Sequence, residues 1–194
     1  MKDDNKYELI VSASIHIMKE KGFEKASVSQ IVKEAGVAQG TFYLYFDSKS
    51  AVVPAIARRI LTALLSEVQT RHKPGAAIFE TIEMMVEVTF ELTEQYKEMI
   101  LFCYSGMAYY HSFELWEEIY QPYYQWLEQQ LKSAQDKGAC TANVELHSLS
   151  RMIINVMETS AENFHLSNQR GQDTAIHKQQ VIAFIANALT DSHS

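Results

Sequence analysis

The segment SVSQIVKEAGVAQGTFYLYFDSK, from Ser27 to Lys49, predicts two short helices joined by a tight turn. Ser27 is placed to cap the first helix, because its hydroxyl can accept a backbone N–H of the opening turn. The apolar residues that follow recur at helical spacing and form one buried face. They are Val28, Ile31, Val32 and Ala35. Gly36 is the residue type that ends helices in a left-handed conformation, and Val37 then returns the chain to the core.

The second helix of the pair is predicted from about Ala38 to Phe46. It turns Phe42 and Phe46 inward, because residues four apart share one face of a helix. Polar and phenolic side chains are left on its other sides. They are Gln39, Thr41, Tyr43 and Tyr45. A short helix, a glycine turn and a second helix with outward hydrogen-bonding groups form a helix-turn-helix, whose second helix suits the DNA major groove.

Around these residues the chain resembles the TetR family of one-component repressors. The run AGVAQGTFYLYFDSK is similar to that family's recognition helix and the entry to its next helix, and the likeness extends over Phe23 to Val53. The sequence departs from the common family pattern at Val32, Ala38 and Ser50. Ala38 lacks the hydroxyl that could cap the recognition helix or touch a phosphate, so we assign it no contact. The resemblance implies a repressor that a small effector releases from its operator.

Side-chain chemistry and the resemblance together assign roles in DNA binding. The Gln39 amide can pair with a base edge such as that of adenine, and Gly40 lets the backbone approach the DNA closely. Lys49 can neutralise a phosphate at the start of the next helix. The full set of expected DNA-binding residues is Ser27, Ser29, Gln30, Gln39, Gly40, Thr41, Tyr43, Tyr45 and Lys49.

The charge of the chain is distributed unevenly along its length. The net charge is −7, whereas nucleic-acid-binding proteins are usually basic. Residues 1–73 carry eleven Lys and Arg against eight Asp and Glu, while residues 74–194 carry six against sixteen. A positive N-terminal part joined to a strongly acidic remainder is expected where only one end of the chain meets phosphates.

The remaining sequence predicts an all-α fold of about nine helices. A three-helix DNA-binding domain is expected over residues 1–50, with its helix-turn-helix at about 27–46. A helical domain for effector binding and dimerisation is expected over residues 51–194. The helices outside the helix-turn-helix are predicted at Lys6–Lys21 and Lys49–His72, and near 76–95, 97–110, 113–137, 145–168 and 173–190.

Pro54 lies inside the predicted fourth helix, six residues after the proposed cap Ser48. Proline has no N–H to bond the carbonyl of Ser50, and its ring crowds that carbonyl, so the helix should kink or restart nearby. Such a point could act as a hinge through which an effector changes the spacing of two recognition helices. A fixed bend without a mechanical role is the alternative.

Ten aromatic residues fall between Phe102 and Trp126. Such a cluster can line an adaptable pocket for a flat or lipophilic molecule, or it can simply build a core. The family resemblance favours a cavity for a small effector. The residues expected to contact that effector are Tyr104, Tyr110, Trp116, Tyr120 and Asn155.

A homodimer is expected, because one short recognition helix covers too few base pairs for specific binding. The last two predicted helices each carry an apolar stripe that could pair across a two-fold axis. The stripes consist of Leu149, Ile153, Val156, Ser160 and Phe164, and of Ile182, Ile185 and Leu189. Alternatively, both stripes face the protein's own core.

Other classes of protein are less well supported by the sequence. Glu162 and His165 have the Glu-x-x-His spacing of di-iron bundles, but a di-iron site needs two such motifs. We therefore expect no metal, no cofactor and no enzymatic activity, with a helical di-iron enzyme or a protein-interaction adaptor as alternatives. Two lone thiols, Cys103 and Cys140, a charged start without an apolar segment, and no apolar run of the ~20 residues that span a bilayer predict a cytoplasmic protein.

Overall fold

The computed structural model describes residues 4–107, 113–167 and 173–190, and all regular elements in these ranges are helical. This confirms the all-α prediction. No helix in the same ranges is long and apolar enough to cross a membrane. The elements are α1 (Asp4–Lys21), α2 (Val28–Ala35), α3 (Gln39–Tyr43), a 3₁₀ helix (Ser50–Val52), α4 (Val53–Arg71), α5 (Ile78–Met107), α6 (Phe113–Asp136), α7 (Leu146–Leu166) and α8 (Thr174–Leu189).

The helix α5 is continuous where the sequence predicted two helices, near 76–95 and 97–110. The predicted break was wrong, because Gln95, Tyr96 and Lys97 include no glycine or proline that would end a helix. The helix α3 is shorter than predicted and ends at Tyr43. Beyond it, the N–H groups of Tyr45 and Phe46 both donate to the carbonyl of Phe42, each at 3.0 Å, so the chain continues as a turn.

The ends of α2 follow the predicted rules. Ser27 is extended, and its hydroxyl accepts the N–H of Gln30 at 3.3 Å, while the Gln30 amide oxygen accepts the N–H of Ser27 at 3.0 Å. This reciprocal pair is a capping box. At the other end Gly36 has φ +66°, and the N–H of Val37 donates to the carbonyl of Val32 at 3.0 Å. The turn between α2 and α3 is therefore set by local hydrogen bonds.

The chain restarts as a helix near Pro54, as predicted. Ser48 accepts the N–H of Ala51 at 3.2 Å and opens the 3₁₀ helix, after which α4 begins at Val53 and not at Lys49. Pro54 thus lies in the first turn of α4, where its missing N–H leaves no helical hydrogen bond unmade. Its role as a hinge stays a hypothesis.

The chain forms two compact units. The first comprises Met1–Ile60 and Glu98–Ile119, and the second comprises Leu61–Lys97 and Tyr120–Ser194. Each unit has fully buried apolar side chains. In the first unit they include Ile10, Met18, Ile31, Phe42 and Ile56, and in the second Ile82, Met85, Phe90, Leu127, Leu131 and Ile154. The functional division at residues 50 and 51 stays a prediction.

The apolar stripes of α7 and α8 are divided between the core and the surface of the second unit. Leu149, Ile153, Ile185 and Leu189 are at most 3% exposed, so they pack inside their own unit, which corrects their expected place at a dimer interface. Val156, Ser160, Phe164 and Ile182 are half-buried. The large apolar side chains exposed on these two helices are Met152, Ile176 and Phe184.

The capping box predicts a measurable contribution to stability. Ser27→Ala should lower the free energy of unfolding by about 1 kcal/mol, because the N–H of Gln30 loses its side-chain acceptor. Chemical denaturation followed by circular dichroism measures this. Ser29→Ala is the matched control, since Ser29 is exposed in the same turn and should change stability far less. Equal losses in both variants would contradict a specific role for the cap.

Candidate DNA-binding surface

The orientation of α3 is set by Phe42. Its ring is fully buried and lies 5.6 Å from the ring of Phe46 and 5.5 Å from that of Tyr43. Because this side of the short helix is fixed against the core, the other sides face outward. Gln39, Gly40 and Tyr43 are exposed as predicted, while Thr41 and Tyr45 are half-buried.

Two exposed residues of this surface were missed by the sequence analysis. Leu44 is 66% exposed beside Tyr43, and an exposed aliphatic side chain there suits contact with a thymine methyl group. The sequence signal for Leu44 was its position four residues after Gly40, on the side of the helix opposite Phe42 and Phe46. Lys25 is exposed in the loop before α2 and can meet a phosphate. The positive charge of residues 1–73 was the signal for it.

The side chains at the start of α2 have internal roles. Ser27 and Gln30 bond each other's backbone in the capping box. Ser29 is exposed, and its Oγ lies 3.2 Å from that of Ser27. Of the three predicted contacts on α2, Ser29 is thus the one whose side chain faces outward most fully, next to backbone N–H groups that favour a phosphate.

The turn after α3 is held by an aromatic contact with α1. The ring of Tyr7 lies 5.4 Å from that of Phe46 and 6.0 Å from that of Tyr45. Burial raises the pKa of the Tyr7 hydroxyl, Glu8 adds to the shift, and two arginines oppose it. Tyr45 is therefore both a predicted DNA contact and a packing partner of α1.

Lys49 has a different environment from the one the sequence predicted. Its ammonium donates to the backbone carbonyls of Phe23 at 2.6 Å, Ala26 at 3.0 Å and Glu24 at 3.3 Å. It also lies 4.5 Å from the centre of the Phe23 ring. A lysine ammonium has three N–H donors, and all three have acceptors here. Lys49 thus joins the turn between α1 and α2 to the segment that leads into α4. Its contact with a phosphate stays a prediction.

The expected effector residues are distributed over both units. Tyr104, which is exposed, and Trp116, which is half-buried, belong to the first unit. Tyr120 belongs to the second unit, where its hydroxyl donates to Glu158 Oε2 at 2.8 Å. Asn155 is exposed on α7, and its contact with an effector stays a prediction. Tyr110 lies outside the described residues.

The Glu162-x-x-His165 motif lies at the end of α7. The His165 ring is 5.0 Å from that of Phe164 and 5.8 Å from that of Phe90, and burial lowers its pKa. Within residues 4–107, 113–167 and 173–190, no group of three or more His, Cys, Asp or Glu side chains is placed to hold a metal ion.

Comparison with known proteins decides the family. Residues 10–56 match the model for bacterial regulatory proteins of the tetR family, and residues 82–189 match that for the tetracyclin repressor-like C-terminal domain. The chain belongs to the TetR family of transcriptional regulators. It is 41% identical over 184 residues to the uncharacterized HTH-type transcriptional regulator YvdT of Bacillus subtilis, which covers 95% of each chain. As a member of this family, the protein is a DNA-binding transcriptional regulator.

Solved TetR-family structures share the fold over nearly the whole chain. FadR from Bacillus subtilis, in complex with stearoyl-CoA, superposes with a TM-score of 0.74 at 20% identity, covering 95% of this chain and 100% of that one. FadR from Thermus thermophilus, in complex with lauroyl-CoA, gives a TM-score of 0.75 at 20% identity and covers 96% of both chains. These likenesses confirm a TetR-type arrangement with an N-terminal helix-turn-helix and a helical C-terminal domain.

The three hydrogen bonds of Lys49 lead to a test of its role. Lys49→Ala should lower the free energy of unfolding by about 1–3 kcal/mol, because the carbonyls of Phe23 and Ala26 lose their donor. Operator affinity should fall, while the slope of log affinity against log salt should stay unchanged. Denaturation and salt-dependent binding measure the two effects. A slope smaller by about one, with unchanged stability, would instead establish a phosphate contact.

Gly40 provides a second test, because nothing within the protein requires a glycine there. Its φ is not positive, and an added Cβ would meet no atom within 4 Å. Gly40→Ala should therefore leave the fold intact or stabilise α3 by about 0.5–1 kcal/mol. Operator affinity should nevertheless fall on the order of tenfold, about 1.4 kcal/mol, since the methyl group would point at the DNA.

The control for Gly40 is Gly36→Ala. Gly36 has φ +66°, so this change should lower stability through backbone strain. Fluorescence-anisotropy titration of operator DNA and thermal unfolding of both variants separate the two effects. Unchanged operator affinity in Gly40→Ala would show that the backbone at this position does not approach DNA.

Proposed function

We propose that this regulator is a repressor that binds a near-palindromic operator as a two-fold dimer and is released by a small lipophilic or aromatic effector. The observation that carries the proposal is the exposed surface of α3 in a TetR-family chain. Gln39, Gly40 and Tyr43 face outward there, in the part of the chain whose charge is positive. The protein acts on DNA in the cytoplasm and catalyses no reaction.

Reading of the operator is divided between base and phosphate contacts. Gln39 is the residue suited to base recognition, because its amide can donate to and accept from one base edge at the same time. Thr41, Tyr43, Ser29 and Lys25 supply hydroxyl and ammonium groups to phosphates. Such contacts position the helix but carry little sequence information.

The exposed face of α7 and α8 supports the dimer. Met152, Ile176 and Phe184 are large apolar side chains that their own unit leaves exposed. The two helices contact each other, and large apolar side chains exposed on neighbouring helices favour an interaction site. We therefore move the dimer interface from the predicted buried stripes to this face, with Val156, Ser160, Phe164 and Ile182 at its margin.

The effector proposal is supported by the aromatic content of residues 102–126 and by the fold. Of the two FadR structures with the same fold, one holds stearoyl-CoA and the other lauroyl-CoA. A long apolar effector body would suit the aromatic side chains of α6. Its binding would change the distance between the two recognition helices, for which the restart of α4 at Pro54 offers a hinge.

The proposal is tested with the DNA upstream of the protein's own gene. A band-shift assay should show specific retardation at low protein concentration, with two protomers per operator. Gln39→Ala should relax the sequence preference at one position of each half-site. The free-energy difference between the preferred base and the others should fall by about 1–3 kcal/mol there. Selection from a randomised operator library measures this preference.

The matched control is Gln129→Ala, an exposed glutamine on α6 that the proposal places away from DNA. It should retain the wild-type preference. An unchanged preference in Gln39→Ala would remove this residue as a reader. Absence of any specific retardation would favour the protein-interaction adaptor, which needs no operator.

A further inference from the structure

The second unit contains a polar cluster, formed by the half-buried Tyr120 of α6 and Glu158 of α7 and by the buried Tyr123 of α6 and Thr89 of α5. The Tyr120 hydroxyl donates to Glu158 Oε2 at 2.8 Å. Tyr123 is 2% exposed and Thr89 is 1% exposed. Glu158 raises the pKa of Tyr123 beyond the effect of burial, while the Thr89 hydroxyl opposes the shift, so the four side chains act on one another.

The hydroxyls of Tyr123 and Thr89 lie close enough to influence each other but lack a well-formed hydrogen bond. Among the described residues, neither the Tyr123 Oη nor the Thr89 Oγ1 makes a hydrogen bond of normal geometry, although both atoms are buried. Buried polar atoms are almost always hydrogen-bonded, because leaving them unpaired destabilises the fold. Phenylalanine and valine would fill similar volumes without this cost. The hydroxyls are therefore explained best by a partner that the protein binds.

The cluster is acidic. Burial raises the pKa of Glu158 to about 8; the Tyr120 hydrogen bond opposes this shift and the nearby Glu162 adds to it. Burial also raises the pKa of Tyr120, to which Glu158, Glu162 and Tyr124 contribute. Arg151 lies over the ring of Tyr124 at 5.3 Å, and His147 meets that ring edge-on at 6.1 Å. Neither Arg151 nor His147 is among the groups that shift the pKa of Glu158.

We propose that this cluster is the polar end of the effector site and that it binds a protonated amine carried on an apolar body. An ammonium group can donate to the Glu158 carboxylate and to the hydroxyls of Tyr123 and Thr89, which satisfies all three. The ring of Tyr120, which stacks on that of Tyr124 with the two centres 5.5 Å apart, offers a π face to the cation and apolar surface to its body. An anionic head group would instead meet Glu158 and Glu162.

Binding of a cation must be linked to a proton. In the protein without a bound cation, Glu158 is mostly protonated at neutral pH, because its pKa is about 8. The ammonium favours the ionised carboxylate, so binding releases the Glu158 proton to solvent. Amine affinity should therefore rise by up to tenfold per pH unit below about pH 8 and level off above it. The inference rests on the proposed function, of which it specifies the effector.

The test uses the full-length protein and ligands that differ only in their head group. Isothermal titration with dodecylamine, dodecanol and dodecanoate is performed at pH 6, 7 and 8. Dodecylamine should bind most tightly, and its affinity should rise with pH. Glu158→Gln keeps the shape of the protonated side chain, so it should fold normally. This variant should weaken the binding of dodecylamine at least tenfold at pH 8 and abolish the pH dependence of that binding. The affinity for dodecanol should stay unchanged.

Two further variants keep the test decisive. Glu83→Gln changes an exposed carboxylate on α5, in the same unit as the cluster, and should leave the affinity of dodecylamine as in the wild type. Tyr120→Phe removes the donor that stabilises the ionised carboxylate, so the pH at which affinity levels off should move upward. This variant provides the readout if Glu158→Gln does not fold.

Several outcomes would overturn the inference. These are no binding of dodecylamine, an amine affinity independent of pH, an amine affinity that Glu158→Gln leaves intact, or tighter binding of dodecanoate or lauroyl-CoA. A band shift with operator DNA on the same preparations separates the two proposals. Loss of operator binding in the wild type counts against the repressor itself, whereas operator binding without Glu158-dependent amine binding counts only against the amine site.

Discussion

A helix of five residues is not stable alone in water, because its few hydrogen bonds do not offset the cost of helix nucleation. The recognition helix α3 has that length, so it depends on the burial of Phe42. The contact of this ring with Phe46 fixes the rotation of α3 about its axis. The outward directions of Gln39, Gly40 and Tyr43, the residues that we propose to meet DNA, follow from that one buried ring.

Polar contacts around this core differ in what they contribute. Arg59 bonds Glu8 and Ser12 and so joins α4 to α1, but it is a surface contact, and such ion pairs contribute little to stability. Lys49 is different, because its three acceptors are backbone carbonyls. The backbone geometry of the loop therefore creates the site that the Lys49 ammonium occupies, whatever side chains the loop carries. Lys49 can thus fix the position of α2 relative to the start of α4 while neighbouring residues vary.

Features governed by local rules could be predicted from the sequence, and those governed by distant partners could not. The cap at Ser27, the left-handed Gly36 and the restart at Pro54 each depend on residues within one helical turn. Lys49 donates hydrogen bonds to Phe23 and Ala26, which precede it in the chain by 26 and 23 positions, and no local pattern reveals such contacts. Periodicity also shows that a helix has apolar stripes without showing which stripe faces the core. For that reason Leu149 and Ile185 were assigned to the dimer interface.

The polar cluster around Glu158 connects the stability of the second unit with the binding of the proposed amine. The pKa of Glu158 is raised from 4.5 to about 8, so the folded state holds a proton that the unfolded chain releases above about pH 4.5. Stability is therefore lost as pH rises from the unfolded pKa through the folded one. A bound cation reverses this effect by making the carboxylate favourable, and any ligand that prefers the folded state stabilises it. The amine that we propose as effector should therefore stabilise the second unit most at high pH, where Glu158 is ionised.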